Sequence, residues 1–236
     1  MAYAAAQFGA QFHMHFYSIL IVRDTVRILR WDRLGMIVTE TIKYNRSPLL
    51  AEFFRCFSKV PPQMRGKDQS VLVPSSMEAE AARYAVGLDE TVPLAKLEIR
   101  GADNLPHYFV TSTPQAMPYS LPGHATRGFP VYDVSQKTVV FVKDSWRVEL
   151  PDIQPEGLTY QSLKDASAHN IPDCLESGDV STVQYHATKM HNYVEEDWAC
   201  HSDTHFIPHC RYRLALDIIG DSITTFQSSH QMVSVV

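Results

Sequence analysis

The sequence predicts an α+β fold, in which an α+β section over residues 1–105 precedes a β-rich section with one helix over residues 106–236. Three observations support this. Apolar residues make up 45% of the 236 residues and charged residues 20%, values typical of a globular protein with a buried core. Runs of β-branched and aromatic residues alternate with polar ones, as in half-buried strands. Between these runs, apolar residues recur at helical spacing beside proline and glycine.

The first section begins with predicted strands. The run Thr25–Trp31 alternates in polarity, and the glycine-containing turn Asp32–Gly35 separates it from the run Met36–Ile42. This order predicts a hairpin or a meander. His13 and His15 alternate with apolar neighbours, so we expect them on the solvent face of a strand.

Two helices are predicted next. One begins near Pro48 and ends before Val60-Pro61-Pro62, because proline is tolerated in the first helical turn but not in the interior. The apolar residues that recur at helical spacing are Leu49, Leu50, Phe53, Phe54 and Phe57. We expect the stripe of Phe53, Phe54 and Phe57 in the core. The other helix is rich in alanine, covers residues 75–86 and is stopped by Gly87.

From Leu94 onwards the sequence predicts strands around a single helix. The predicted strands cover residues 94–99, 107–111, 129–132, 138–143, 180–185 and 211–219. The helix covers residues 156–168, with Pro155 at its start. A proline-rich connection over residues 113–122 and a polar insertion loop over residues 191–208 complete the section.

Charge and cysteine content argue against several classes of function. The formal net charge is −5, which is unlike a protein that binds nucleic acid or an anionic membrane through bulk charge. The four cysteines are scattered without a CxxC pair, as in reduced intracellular proteins. No segment has the pattern of a secretory signal or the length of a membrane span. We therefore expect an intracellular protein, cytoplasmic or nuclear.

Three features of the second section can together form a phosphate site. The segment Gly123–Gly128 is rich in small residues, so its backbone N–H groups can approach a ligand closely. Lys143 follows 15 residues after Gly128, at the end of a predicted strand, and Glu156 opens a helix 13 residues later. A loop over phosphates, a strand lysine on them and a helix glutamate that holds the lysine form the arrangement of the protein-kinase upper lobe.

Each feature alone is more typical of ordinary structure. A glycine-containing segment is commonly a plain turn, a strand-end lysine commonly extends into solvent, and a first-turn glutamate is favoured by the helix dipole. The order and spacing of the three together carry the phosphate-site prediction.

Six longer strings carry a resemblance to a known family: GHATRG, VVFVKDSW, PEGLTYQSLKDASAHNIPDCLESGDV, RYRLALDIIGDSITTFQSSHQMV, FYSILIVRDTVRILRWDRLGMIVTE and LLAEFFRCFSKVPPQMRGKD. They resemble the fungal-type protein kinases, the last two being similar to the extension that precedes the kinase core in that family. The resemblance covers nearly the whole chain, and the strings KDSW and LRWDR are quite specific.

The resemblance implies a kinase-like upper lobe, an antiparallel sheet plus one helix, over residues 106–236 and an α+β extension over residues 1–105. It implies ATP as the cofactor, with Lys143 on the phosphates, Glu156 as its partner and the hinge near adenine. The implied ATP-binding residues are Gly123, Ala125, Thr126, Arg127, Gly128, Lys143, Glu156, Asp217, Ile218, Ile219 and Gly220. In the intact family the γ-phosphoryl group passes to a Ser or Thr of a protein, so a protein substrate or partner is expected.

The sequence also departs from the family pattern. It contains no His-Arg-Asp and no Asp-Phe-Gly, the motifs that supply the catalytic base and hold Mg²⁺ in protein kinases. The resemblance places both motifs downstream of Val236. We therefore expect a catalytically incomplete kinase fragment, with Mg²⁺ bound only in an intact kinase. Arg211 stands where the family usually has histidine.

Other readings stay open. The main alternative is a noncatalytic scaffold or regulatory module, similar to a pseudokinase, because an upper lobe without its lower lobe exposes apolar surface.

A zinc site is a minor alternative. Zinc favours cysteine and histidine ligands, although no spacing here fits a standard zinc finger. Its candidate ligands are Cys200, His201, His205, His209 and Cys210. Four arginines near one hairpin favour a solvated face or ion pairs over a phosphate or peptide site. They are Arg23, Arg27, Arg30 and Arg33.

Overall fold

The computed structural model describes residues 2–112, 123–180, 187–199, 207–220, 225, 227 and 228. Within them the fold is α+β, with two antiparallel sheets and four α-helices. The helices are α1 (Ala2–Ala10), α2 (Leu49–Lys59), α3 (Ser76–Val86) and α4 (Glu156–Asp165). The strands are β1 (Phe16–Val22), β2 (Thr25–Trp31), β3 (Met36–Val38), β4 (Ile42–Lys43), β5 (Val71–Leu72), β6 (Ala95–Arg100), β7 (Pro106–Thr111), β8 (Arg127–Asp133), β9 (Val139–Val148), β10 (Cys174–Asp179) and β11 (His209–Leu216). Two short 3₁₀-helices cover Pro62–Arg65 and Met190–Tyr193.

A small sheet forms from the first four strands, in the order β1-β2-β3, with β4 also paired to β2. The β1–β2 hairpin turns at Arg23, which takes the left-handed conformation with a φ of 56°. The predicted strand Thr25–Trp31 is confirmed residue for residue. The helix α1, which the sequence analysis does not predict, packs Phe8 against Phe16 and Trp31 on one face of this sheet.

The helix α2 covers the other face of the small sheet only in part. Phe53 packs against the cluster of Val26, Ile28 and Ile42. Phe54 is 51% exposed, and no residue of α2 is fully buried. The prediction that the phenylalanine stripe is core is therefore wrong for Phe54, which faces away from the sheet.

The large sheet has seven strands in the order β10-β11-β9-β8-β7-β6-β5, and all neighbours are antiparallel. One face, which we call the inner face, carries an apolar core that includes Leu97, Phe109, Phe129 and Val142. The helices α3 and α4 pack on the other face, the outer face, against β7 and β8 and against β10 respectively. The sheet takes β5 and β6 from the predicted N-terminal section, so the predicted boundary at residue 105 falls inside the β6–β7 hairpin.

The large sheet curls until β10 approaches β6. Gly178 of β10 lies so close to β6 that a Cβ atom there would overlap the carbonyl oxygen of Arg100. Arg213 of β11 donates from Nη1 to the carbonyl oxygen of Glu98 at 2.7 Å. The inner face is therefore enclosed, as in a partly closed barrel.

Local sequence sets both ends of α3. The side chain of Ser75 accepts a hydrogen bond from the Glu78 amide at 3.3 Å, and the Glu78 carboxylate accepts one from the Ser75 amide at 2.8 Å. This capping box satisfies two amides that have no partner inside the helix. Gly87 ends the helix in the left-handed conformation, with a φ of 73°. The helix predicted over residues 75–86 is confirmed.

Two histidines are placed differently from the prediction. His13 and His15 are half-buried, because the chain at this point runs against Lys67 and Met64 instead of lying on a solvent-facing strand. The strand predicted over residues 180–185 and the connection over residues 113–122 fall almost wholly outside the described residues. None of the helices in the described part of the chain is long and apolar enough to cross a membrane.

Candidate functional site

Lys143 and Glu156 meet on the outer face of the large sheet. Nζ of Lys143 lies 2.8 Å from Oε1 and 2.7 Å from Oε2 of Glu156, so two of its three N–H donors can reach one carboxylate. Both side chains are about one-third exposed, at 30% and 35%. The spacing in the sequence paired this lysine with this glutamate, and the fold brings them into contact.

Lys143 lies inside β9 and not at its end. The sequence analysis ends the strand at Lys143, but β9 continues to Val148. Successive side chains of a strand point to opposite faces, so Asp144 enters the inner face while Lys143 lies on the outer one. Asp144 is 2% exposed there. A buried carboxylate does not interrupt a strand when cationic partners surround it, which explains the error in the prediction.

Three arginines surround Asp144. Arg127 of β8 and Arg213 of β11 lie directly opposite it in the neighbouring strands. Arg211 donates to both oxygens of the Asp144 carboxylate, at 2.8 and 2.6 Å. Arg211 and Arg213 also contact the buried Asp68, which comes from the N-terminal section. We call these five side chains the inner charge network. It ties β8, β9 and β11 to that section.

Asp144 and Arg127 of the inner charge network are charged at neutral pH. Burial acts to raise the pKa of Asp144, but the charges of Arg211 and Arg127 and the hydrogen bonds from Arg211 outweigh it and hold the pKa well below its ordinary value. Burial lowers the pKa of Arg127 to about 10, against the attraction of Asp144. The strand segment that carries Lys143 is thus fixed from its inner side by permanent charges.

The start of α4 is seated directly on the outer face. The amide of Gly157 donates to the hydroxyl of Tyr212 at 2.9 Å. A Cβ atom at Gly157 would lie 2.6 Å from that hydroxyl and would overlap the side chain of Ser177. The absence of a side chain therefore lets the first turn of α4 approach β10 and β11, and this places Glu156 within reach of Lys143.

The small-residue segment is only partly a loop. Arg127 and Gly128, which the resemblance assigns to the phosphate-covering loop, are the first two residues of β8. The guanidinium of Arg127 turns to the inner face and donates to Asp144. Gly128 pairs with Lys143, and a Cβ atom there would lie 2.6 Å from Cζ of Phe141. Gly128 thus makes room for an aromatic ring beside Lys143.

The rest of the segment runs along the far part of β9. The carbonyl oxygen of His124 accepts a hydrogen bond from the Trp146 amide at 2.7 Å. Ala125, with a φ of 42°, is buried against Trp146, whereas Gly123 is exposed and has a φ of 93°. Thr126 is half-buried. Trp146 is three residues beyond Lys143, so its backbone lies about 10 Å from that of Lys143 along the strand.

The residues implied for the hinge follow the end of β11. Asp217 is linked to the chain before β10: its amide donates to the Asp173 carbonyl at 3.1 Å, and its carboxylate accepts from the Asp173 amide at 2.8 Å. The Asp217 amide is therefore already occupied and is not a free donor for adenine. Ile218, Ile219 and Gly220 are exposed.

In the described part of the chain, no group of three or more His, Cys, Asp or Glu side chains has an arrangement that could hold a metal ion. Of the predicted zinc ligands, Cys200, His201 and His205 lie outside that part. Comparisons of the chain with protein-family models, curated proteins and solved structures gave no match.

The inner charge network is the feature that sequence reasoning missed. Its signal is the pair Arg211 and Arg213, two residues apart in an apolar strand, which must lie on one face. The sequence alone gives no role to Arg211. Asp144, an acid directly after another predicted strand, is a possible partner for the two arginines. The sequence does not give the register in which β9 and β11 pair, and this register decides that the arginines and Asp144 meet.

Proposed function

We propose that the outer face around Lys143 binds the phosphates of a nucleoside triphosphate, as the upper lobe of a protein-kinase-like fold does. The resemblance to fungal-type protein kinases makes ATP the expected nucleotide. The observation that carries the proposal is the contact of Lys143 with both carboxylate oxygens of Glu156. Protein kinases use a lysine–glutamate pair of this kind to position the phosphates of ATP.

The side chains around Lys143 fit such a ligand. Two N–H groups of the ammonium can reach Glu156, which leaves a third donor for a phosphate oxygen. Glu156 also holds the lysine in place, so a phosphate would meet an oriented charge. Phe141, on the same face, offers an apolar ring beside the ammonium. Bound ATP would supply the transferable phosphoryl group, usually with Mg²⁺ on its phosphates.

The 236 residues contain neither His-Arg-Asp nor Asp-Phe-Gly. The proposed role of this chain is therefore nucleotide binding without phosphoryl transfer of its own, since those motifs hold the base and the metal.

Nucleotide titration of three variants tests the proposal. We expect saturable binding of a fluorescent ATP analogue to the unaltered chain and a loss of affinity of about tenfold or more in Lys143→Met, because a charge-assisted hydrogen bond is removed. Glu156→Gln should weaken binding less, because the ammonium remains. Lys164→Met is the matched control: Lys164 is also paired with an acid, Asp173 at 2.8 Å, but at a 64% exposed position on the far part of α4.

Equal affinity of Lys143→Met and the unaltered chain, with both folded by circular dichroism, would overturn the nucleotide site. A separate assay follows transfer of radiolabelled γ-phosphate. Transfer that is lost in Lys143→Met would confirm the nucleotide site and disprove the proposed lack of catalysis.

A second candidate function is a noncatalytic docking module. The observation that favours it is a group of exposed apolar side chains on α4, on β10 and after β11. They are Leu158, Leu163, Leu175, Ile218 and Ile219, with 55%, 38%, 43%, 53% and 41% exposure. Such surface favours association with another protein. No nucleotide binding, together with a protein complex that is lost in Leu158→Ser, would favour this function over the first.

A further inference from the structure

A cavity lies between the two sheets, away from Lys143. Its volume is about 300 Å³, at the lower end of the range for small-molecule sites. It is lined by residues of β1, β2, β6 and the segments beside them, and none of the residues proposed for nucleotide binding takes part. Its rim includes the exposed residues Met64, Lys67 and Gln69, so it opens to solvent.

Cationic side chains outnumber acids in the cavity wall. Arg30, Lys67 and Lys189 line it, together with the carboxylates of Asp32 and Glu98. Both acids already accept hydrogen bonds from other groups of the protein. Asp32 accepts hydrogen bonds from the backbone amides of residues 34, 189 and 190, and Glu98 accepts one from Arg100 at 2.6 Å. The wall therefore offers positive charge to a ligand.

Arg30 is the strongest candidate ligand-binding group. Its side chain is 18% exposed and lies 3.5 Å from Asp32, too far for a good hydrogen bond. Its buried Nη1 has no hydrogen-bond partner among the described residues. An anionic ligand would make a charge-assisted contact with the exposed part of this side chain.

The neighbouring histidine adds no charge. Burial, helped by the nearby charge of Arg30, lowers the pKa of His15 to about 4, although the contact with the Met64 carbonyl acts to raise it. His15 is therefore neutral at physiological pH, and it contacts that carbonyl oxygen through Nε2 at 3.2 Å. The anion-binding capacity of the cavity rests on Arg30 and Lys67.

Part of the remaining wall is apolar. Tyr17 and Tyr193 provide aromatic rings, and Met14 and Met64 provide flexible apolar side chains that adapt to a ligand. The ring of His15 packs edge-on to Tyr17 at 5.7 Å. Such walls suit a planar ligand body next to the cationic groups.

We propose that this cavity binds a small organic anion, an aryl or similar flat apolar group that carries one phosphate or carboxylate. Arg30 and Lys67 contact the anionic group, and the tyrosine and methionine side chains contact the flat body.

The test is a titration of the full chain, followed by the backbone amide signals in NMR, at pH 7.5 and constant ionic strength. The probes are phenyl phosphate, benzoate, inorganic phosphate and the neutral phenol. We expect saturable shifts of cavity amides with phenyl phosphate, with benzoate or with both, and this comparison identifies the preferred anion. Inorganic phosphate should bind more weakly than the preferred anion because it lacks the aryl group, and phenol should bind more weakly because it lacks the anionic group.

Three variants make the test specific. Arg30→Met and Lys67→Met should each weaken binding by about tenfold or more, because each removes a charge-assisted contact. Arg27→Met is the matched control, since Arg27 is on the same strand, carries the same charge and is exposed outside the cavity. Its affinity should stay within about twofold of the unaltered chain, because a distant surface charge is screened by salt. Lys143→Met should also keep this binding, which separates the two sites.

Either of two results overturns the proposal: no saturable shift with any of the anions, or an equal loss of affinity in Arg27→Met and Lys67→Met. Lys67 is exposed, so its variant should fold even if Arg30→Met does not, and it decides the question by itself.

Discussion

At the scale of single residues, Asp144 is where the interior charges of the large sheet converge. Asp144→Asn removes the carboxylate charge that the three surrounding arginines share, and loss of one partner from a buried ion pair costs about 3–5 kcal/mol. We expect a fall of this size in the free energy of unfolding, measured by urea denaturation. A loss below about 1 kcal/mol would show that the buried network does not hold the sheet together.

Asp179→Asn is the matched control for this variant. Asp179 also accepts two hydrogen bonds from one arginine, Arg147, at 2.7 and 2.6 Å, but its side chain is 45% exposed. An exposed pair contributes about 0.2–1 kcal/mol because water screens it. The difference between the two variants therefore measures the effect of burial on the same type of contact.

The pH dependence of stability follows from the lowered pKa of Asp144. A carboxyl whose folded pKa lies below its unfolded value, about 3.9, stabilises the fold above that value, and this stabilisation is lost as pH falls toward the folded pKa. The gap in unfolding free energy between the unaltered chain and Asp144→Asn should be constant from about pH 8 to 5 and narrow below about pH 4. Urea titrations across this range measure the gap. Narrowing already near pH 6 would mean that another group controls it.

At the scale of elements, the position of α4 depends on Gly157. Gly157→Ala should push the first turn of α4 away from Tyr212 and Ser177, at a cost of about 1–3 kcal/mol for an added methyl group in a packed contact. Because Glu156 precedes this residue, the same shift should break its contact with Lys143. A crystal structure of the variant and its urea denaturation curve test both effects.

Gly35→Ala is the matched control. A Cβ atom at Gly35 meets only Cε of Met190, at 3.8 Å, which is ordinary contact, so its stability should change by less than about 0.5 kcal/mol. If Gly157→Ala is equally harmless, α4 is not held by this close approach.

Elements with strong local signals were predictable. β2 alternates over its whole length, and α3 has its capping box and its glycine stop, so both could be located from sequence. β9 was predicted too short, because a charged pair reads as the end of a strand unless the partners of the buried charge are known. The contact of Lys143 with Glu156 could be predicted, because it depends on spacing along the chain. The contacts of Asp144 with the arginines on the opposite face could not, because they depend on the pairing register of three strands.

At the scale of the whole molecule, the N-terminal section supports the candidate site from behind. Asp68 contacts Arg211 and Arg213, and the Gln11 carbonyl accepts a hydrogen bond from Arg127 at 3.0 Å. The ring of Phe12 stacks on Phe129 of the inner face, with 5.9 Å between ring centroids. The strand that carries Lys143 on one side is thus packed against the N-terminal section on the other. Nothing in the sequence of either section alone indicates this dependence.

A fragment of residues 106–236 tests whether the second section folds alone. Removal of residues 1–105 takes away β5 and β6, uncovers the inner face at β7 and deprives two buried arginines of Asp68. A buried charge left without its partner costs about 3–5 kcal/mol, a large share of the roughly 5–15 kcal/mol by which domains are stable. We therefore expect the full chain to give a dispersed amide NMR spectrum and a cooperative urea transition, and the fragment to give neither. A cooperative transition of the fragment, with nucleotide affinity equal to that of the full chain, would show instead that the site is built by residues 106–236 alone and that the predicted boundary at residue 105 separates two independent units.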